Sequence, residues 1–273
     1  MALKIACLVC INLLLIFGGS SVRAQDFTVI TETEHVNSGK IVGRSRTIFH
    51  AGEAYDQVPG LGEITIYQPG RQQFTIFSEA RNLATTISFA DIVANQREFD
   101  RQILSHVEQL ERRGSRETLQ KAAELKFQWQ PEFDERFDAK KNELSMTSKY
   151  YSYVVETKPN LQPQIVKSYL RYADWTKQFN ALLDPASIFP APRLLVNQAL
   201  RKRGAIPLSV SLKHPSKNGK NGLHLKSRHQ IRWKLTDSDR AAIVSWQRFL
   251  AKDELKWITF QEFQAAVRPA GDK

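Results

Sequence analysis

The sequence predicts an α+β protein built on a curved antiparallel sheet, or incomplete barrel, of about ten to eleven strands with inserted and C-terminal helices. Three observations lead to this class. Short β-branched runs separated by turn residues fill the first third after residue 24, a helical period begins near Ser88, and an Asn-Gly-rich loop separates two late strand-like runs. No repeat interrupts the chain, so we expect residues 25–273 to form one domain.

Residues 1–24 have the order of a secretory signal peptide. Lys4 precedes an apolar run over residues 5–17, and small residues lead to Ala24. The apolar run is shorter than the roughly 20 residues that cross a bilayer, which disfavours the alternative of an uncleaved anchor. We therefore predict cleavage after Ala24 and a periplasmic or secreted mature protein.

The composition of the mature chain is basic and free of cysteine. Cys7 and Cys10 both lie in the predicted signal, which leaves no disulfide or cysteine ligand in the mature chain. The full chain has 39 Lys and Arg against 28 Asp and Glu; without Lys4 and Arg23 the balance is 37 − 28 = +9. Such a charge favours an anionic membrane surface as a partner, or simply keeps an exported protein in solution.

The first mature segment predicts a meander of hairpins. Alternating β-branched and aromatic residues mark strands, and Pro69-Gly70 supplies a tight turn. The predicted strands cover residues 27–31, 41–50, 53–58, 63–67 and 73–77.

Helical and strand-like segments then alternate. Ser88 and Asp91 form a possible capping box for an inserted helix near 91–113, and Gly114 ends it. Leu125, Phe127 and Trp129 alternate with polar residues and predict a strand. Further predicted strands cover 133–137, 144–147, 150–157, 206–213 and 223–235; predicted helices begin near 163 and 193, and C-terminal helices lie near 237–267.

Signatures of catalysis are missing from the sequence. There is no GxSxG, P-loop, Rossmann glycine or HExxH pattern, and Ser45 is interpreted as a strand residue. His214 and His224 could face each other across the last hairpin, but a metal site needs more ligands. Asp237 and Asp239 stand at a helix start, where capping explains them. We therefore predict no catalytic residue, no metal and no cofactor.

The order of the early strands resembles that of periplasmic lipoprotein-carrier proteins. The resemblance is carried by the meander over residues 47–56, 63–67 and 73–77, and by the run 204–208 that enters a long hairpin. It rests on the pattern of strands and turns and on no specific motif. It implies an incomplete barrel closed by helices around an apolar cavity for acyl chains.

A curved sheet with one apolar face must be filled by side chains, helices or a ligand. We predict that the aromatic residues of the strands line a ligand cavity, with a packed, ligand-free core as the alternative. The candidate lining residues are Phe49, Tyr55, Tyr67, Phe74, Phe77, Trp129, Tyr151, Tyr153 and Trp233.

The expected function is an exported carrier for an apolar, acyl-bearing ligand such as a lipid or lipoprotein. A structural or protein-interaction module of the envelope and a hydrolase with a scattered site are the alternatives. The basic and aromatic run 228–234 also fits an amphipathic strand with Ile231 and Trp233 inward, so no nucleic-acid partner is predicted. The sequence leaves the oligomeric state open.

Overall fold

A single sheet of 12 strands organises the protein. The computed structural model describes residues 26–60, 62–184, 188–214 and 222–267, so the predicted signal peptide lies outside the described residues. The sheet is open and curved, and its strands are antiparallel except at one edge. The predicted α+β class with a curved antiparallel sheet is confirmed, with 12 strands in place of about ten to eleven.

The N-terminal half of the sheet is the predicted meander of five strands, extended by a sixth strand, β6, that was not predicted. Each strand pairs with the next along the chain through a short turn, as expected for alternating runs bounded by turn residues. Its strands are β1 (Phe27–His35), β2 (Lys40–His50), β3 (Glu53–Gln57), β4 (Glu63–Gln68), β5 (Gln73–Ser78) and β6 (Leu83–Ser88).

The C-terminal half of the sheet is added on the other side of β1. Five successive antiparallel strand pairs lead from β1 to the strand at this edge of the sheet. These strands are β7 (Asp134–Asp138), β8 (Glu143–Thr147), β9 (Ser152–Lys158), β10 (Ile206–His214) and β11 (Leu223–Arg232). The two-residue strand β12 (Lys256–Trp257) pairs parallel to β6 and forms the opposite edge.

Helices are inserted between the strands and follow them. The described helices are α1 (Phe89–Arg113), α2 (Arg116–Trp129), α3 (Pro163–Leu183), α4 (Pro190–Lys202), α5 (Asp237–Leu250) and α6 (Phe260–Val267). The predicted capping box at Ser88 forms with Asp91, and capping boxes also form at Thr236 with Asp239 and at Thr259 with Glu262. Local capping therefore sets where three of these helices begin.

The two faces of the sheet carry different helices. We call the face that bears Phe49, Tyr67 and Phe74 the inner face; the aromatic residues of α3 pack on it. The opposite, outer face bears Tyr55 and other apolar residues of the first six strands, and α5 covers it through Trp246 and Phe249. The meander is thus buried on both faces.

One predicted strand is wrong. Leu125, Phe127 and Trp129 belong to α2, not to a strand. Ser115 caps this helix, and Ala122 and Leu125 pack one turn apart against α1. The segment is rich in Glu, Lys, Gln and Leu, which favour helices, and three alternating apolar residues are too few to outweigh that preference.

No helix in the described parts of the chain has both the length and the apolar content required to cross a membrane.

Candidate functional site

A groove runs between the inner face of the sheet and α3. It consists of two adjoining cavities with volumes of about 490 Å³ and 380 Å³. Five residues line both cavities, which shows that the two spaces meet: Asp56, Val58, Tyr172, Thr176 and Asn180. We call the larger cavity the apolar lobe and the smaller one the polar lobe.

The apolar lobe lies between β4, β5, α3 and the C-terminal helix α6. Thr65 and Ile76 form its floor on the inner face of the sheet. Its walls are mostly apolar side chains from the two helices: Phe179, Leu183, Phe260, Phe263 and Val267. Phe263 is buried and Phe260 packs against Phe179, so α6 is fixed over this end of the groove.

The polar lobe lies between β1, β2, β11 and the helices α3 and α4. Hydroxyl groups from the strands line it, namely those of Thr31, Thr33 and Ser45. Three basic residues, Arg44 of β2, Lys177 of α3 and Arg193 of α4, and the imidazole of His229 line it as well; Arg44 is paired with Glu32. The groove therefore changes from apolar to cationic and hydrogen-bonding along its length.

A hydrogen-bonded cluster occupies the junction of the two lobes. Thr47 Oγ1 donates to Asp56 Oδ1 at 2.7 Å, directly across the β2–β3 pair, and lies 3.5 Å from the Tyr172 hydroxyl. Burial raises the pKa of Asp56, although hydrogen bonds from Thr47 and Tyr172 act in the opposite direction. Burial, together with the nearby charge of Asp56, raises the pKa of Tyr172 well above its ordinary value.

Lys177 is a partly buried cation that forms no ion pair with a described carboxylate, although the charge of Asp184 acts on it. Its Nζ donates to the carbonyl oxygen of Ile188 at 2.8 Å. Burial lowers the pKa of Lys177 to about 8, and the charge of Arg193 acts in the same direction. Among the ion pairs between described residues, none contains Lys177 or Arg193.

His229 is held neutral at the same end of the groove. Its Nδ1 lies 2.9 Å from Thr31 Oγ1, while Nε2 is inaccessible to solvent and has no hydrogen-bond partner among the described residues. Burial and the charge of Arg193 lower the pKa of His229 to about 4. The imidazole is therefore uncharged at neutral pH.

The nine aromatic residues predicted from sequence lie outside both lobes. Phe49 and Tyr67 line a small cavity of about 150 Å³ beside the β2–β3 turn, and Trp129 lines another of about 130 Å³. Tyr55 and Phe77 point to the outer face beneath α5. The remaining four belong to the inner-face core: Phe74, Tyr151, Tyr153 and Trp233.

The two histidines considered for a cation site lie apart. In the β10–β11 register His224 pairs with Lys213, and His214 pairs with Leu223. Because adjacent residues of a strand alternate in direction, the two imidazoles project from opposite faces of the sheet. His214 contacts Glu124 and His224 contacts Ser211. Within the described ranges, no group of three or more His, Cys, Asp or Glu is arranged to hold a metal ion.

Comparisons with known proteins do not assign this groove to a family. A scan against protein-family models finds no match for the chain, and a search of curated proteins finds no significant match either.

Proposed function

We propose that the protein is an exported carrier for an apolar, acyl-bearing ligand such as a lipid or lipoprotein, bound in the groove under α3. The observation that carries this proposal is the apolar lobe. Its volume of about 490 Å³ falls within the roughly 300–1,000 Å³ that is usual for small-molecule sites. Protein interiors otherwise pack densely, so a cavity of this size with apolar walls favours an apolar occupant.

The chemistry of the walls favours an acyl chain over a polar ligand. The side chains from α3 and α6 offer mainly aliphatic and aromatic surface, with Thr176, Asn180 and Gln264 as polar groups among them. Each methylene moved from water into such an environment contributes about 0.8 kcal/mol. A chain of several methylenes would therefore bind without any specific polar contact in this lobe.

The basic surface supports delivery at a membrane. Arg232 and Lys234 are exposed at and just beyond the end of β11, and the net charge of +9 expected for the mature chain would attract an anionic leaflet. The predicted signal peptide would place the protein where such exchange between envelope lipids occurs.

The competing proposal, a structural or protein-interaction module, draws less support from the sheet edges. The edge strand β7 reads Asp-Glu-Arg-Phe-Asp and is exposed along its whole length. Charged residues on an edge strand disfavour the addition of a further strand. An exposed edge of this kind is therefore a poor docking site for β-augmentation.

Native mass spectrometry tests the carrier proposal. Protein purified without detergent from the compartment in which it accumulates is expected to carry one lipid mass per chain. Organic extraction should remove this mass and added lipid should restore it, because the ligand would be held by noncovalent contacts with the apolar walls. A chain that stays free of adducts before and after incubation with lipid would favour the interaction module.

A further inference from the structure

The polar lobe is positioned to receive the other end of the same ligand. It adjoins the apolar lobe at the Asp56–Tyr172 cluster, so an amphiphile whose chain fills the apolar lobe would place its headgroup among the side chains of β1, β2, β11 and α4. Two cations in this lobe, Lys177 and Arg193, have no carboxylate partner in the described structure.

An unpaired buried cation is costly, and an anion would relieve that cost. Charges removed from water require a counter-charge or strong hydrogen bonds. Among the described residues, the ammonium of Lys177 donates to the Ile188 carbonyl and feels the charge of Asp184 without a direct ion pair. Arg193 lies close enough to influence Lys177, His229 and Tyr169 electrostatically, which places it centrally among the groups of the lobe.

Neutral donors complete a site for anionic oxygens. The hydroxyls of Thr31 and Ser45 line the lobe, and when Nδ1 of His229 carries the ring proton it donates to Thr31 Oγ1, which leaves the Thr31 hydroxyl hydrogen free to donate to a ligand. A Lys, an Arg and several neutral donors are the groups that bind carboxylates and phosphates through charge-assisted hydrogen bonds.

Asp56 does not cancel this positive region. It lines the junction between the lobes, and its carboxylate is engaged by Thr47 and Tyr172. The charges that act on Lys177 come from Arg193 and Asp184, not from Asp56. The cationic end of the groove therefore stays available to an anion.

We propose that the polar lobe binds an anionic headgroup, a carboxylate or phosphate, on the acyl ligand. This inference rests on the proposed carrier function. It specifies the ligand class: an anionic amphiphile such as a fatty acid or a lysophospholipid with a terminal phosphate.

Calorimetric titration with palmitate, palmitoyl lysophosphatidate and hexadecanol tests the headgroup. The wild-type protein is expected to bind at least one of the two anions about ten-fold or more tightly than the alcohol, as for buried hydrogen bonds to a charged group. The tighter of the two anions identifies carboxylate or phosphate. Equal affinity for all three ligands would overturn the anionic headgroup and leave the carrier function intact, whereas no binding of any ligand would overturn both.

Substitution of Lys177 and Arg193 tests whether these two cations cause the preference for anionic ligands over hexadecanol. Lys177→Met combined with Arg193→Met should bring the anions to within about two-fold of hexadecanol while hexadecanol affinity is unchanged. The matched control is Lys167→Met combined with Arg171→Met, which alters two exposed cations of α3 beside the separate small cavity and should keep the wild-type preference. A preference that survives the first double substitution would overturn the assignment.

The pH dependence gives a second readout. Lys177 faces Arg193 from α4 and Asp184 at the end of its own helix, while His229 from β11 and Asp56 from β3 line the same lobe. Its pKa of about 8 means that Lys177 loses its proton as the pH rises. Palmitate affinity should therefore fall by up to about ten-fold between about pH 7 and pH 9, and Lys177→Met should remove this dependence. A wild-type affinity that is constant over this range would count against Lys177 as a ligand.

Discussion

The variant Thr65→Trp is expected to weaken acyl-ligand binding by at least about 100-fold while the protein stays folded. Thr65 lies on the inner face of β4 and forms part of the floor of the apolar lobe. An indole there would occupy space needed by about four methylenes, worth roughly 3 kcal/mol of binding. The cavity of about 490 Å³ can hold the added ring, so the cost of overpacking should be small.

The matched control is Thr86→Trp, and the measurement is titration with a fluorescent fatty acid. Thr86 is an exposed threonine of β6 that pairs with Thr75 on the outer face, so its substitution leaves the groove unchanged. Circular dichroism and thermal unfolding establish that both variants fold. Undiminished binding by a folded Thr65→Trp protein would mean that the acyl chain does not occupy the apolar lobe.

The substitution Asp239→Ala is expected to lower the free energy of unfolding by about 3 kcal/mol. Asp239 is buried at the start of α5, where it accepts hydrogen bonds from Thr236 and from Thr28 of β1 and lies 3.5 Å from the guanidinium of Arg46 on β2. Its removal ends the capping box and leaves Arg46 without its counter-charge. The helix would then lose its main polar link to the sheet.

Urea unfolding at neutral pH measures this effect, with Asp237→Ala as the control. Asp237 lies two residues before Asp239 and is exposed, so its substitution should change the free energy of unfolding by less than about 0.5 kcal/mol. Burial alone would raise the pKa of Asp239, but hydrogen bonds from Thr236 and Thr28 and the charge of Arg46 lower it. The stability advantage of the wild type is thus present above the ordinary pKa of about 3.9 and should shrink as the pH falls below it. Equal stability of the two alanine variants would contradict this role.

The sheet and most helix starts were predictable because they depend on local patterns. Strand alternation over the meander, the turn at Pro69-Gly70 and the capping box at Ser88 each involve residues that are close in sequence. The helix α2 was missed although the composition of its segment and its cap at Ser115 favour a helix locally. The alternation of Leu125, Phe127 and Trp129 resembles a strand, whereas packing against α1, a tertiary contact, favours the helix.

The groove could not be predicted because its residues come together only through the tertiary fold. Asp56, Lys177, Arg193 and His229 belong to four different elements, and no spacing in the sequence relates them. One signal was present: His229 stands two residues before Ile231, which was expected to point inward, so alternation places His229 on the inner face as well.

The aromatic residues predicted to line a ligand cavity lie mostly in the packed core, although Phe49, Tyr67 and Trp129 border small cavities. Phe74 and Tyr153 are nearly inaccessible and pack against other rings. The cavity walls instead come largely from α3 and α6, whose apolar residues the sequence assigns simply to the buried side of each helix. Sequence alone does not distinguish a helix that fills a curved sheet from one that roofs a cavity.

Photolabelling tests the central claim most directly, with a palmitate that carries a diazirine at its terminal methyl end and peptide mapping of the wild-type protein. The account predicts label within α6 and on the Phe179–Leu183 end of α3, because the chain terminus should lie in the apolar lobe. The label should disappear in Thr65→Trp and persist in Thr86→Trp. Label confined to exposed apolar side chains such as Val244 and Trp257, unaffected by Thr65→Trp, would contradict a carrier that holds its ligand in the groove.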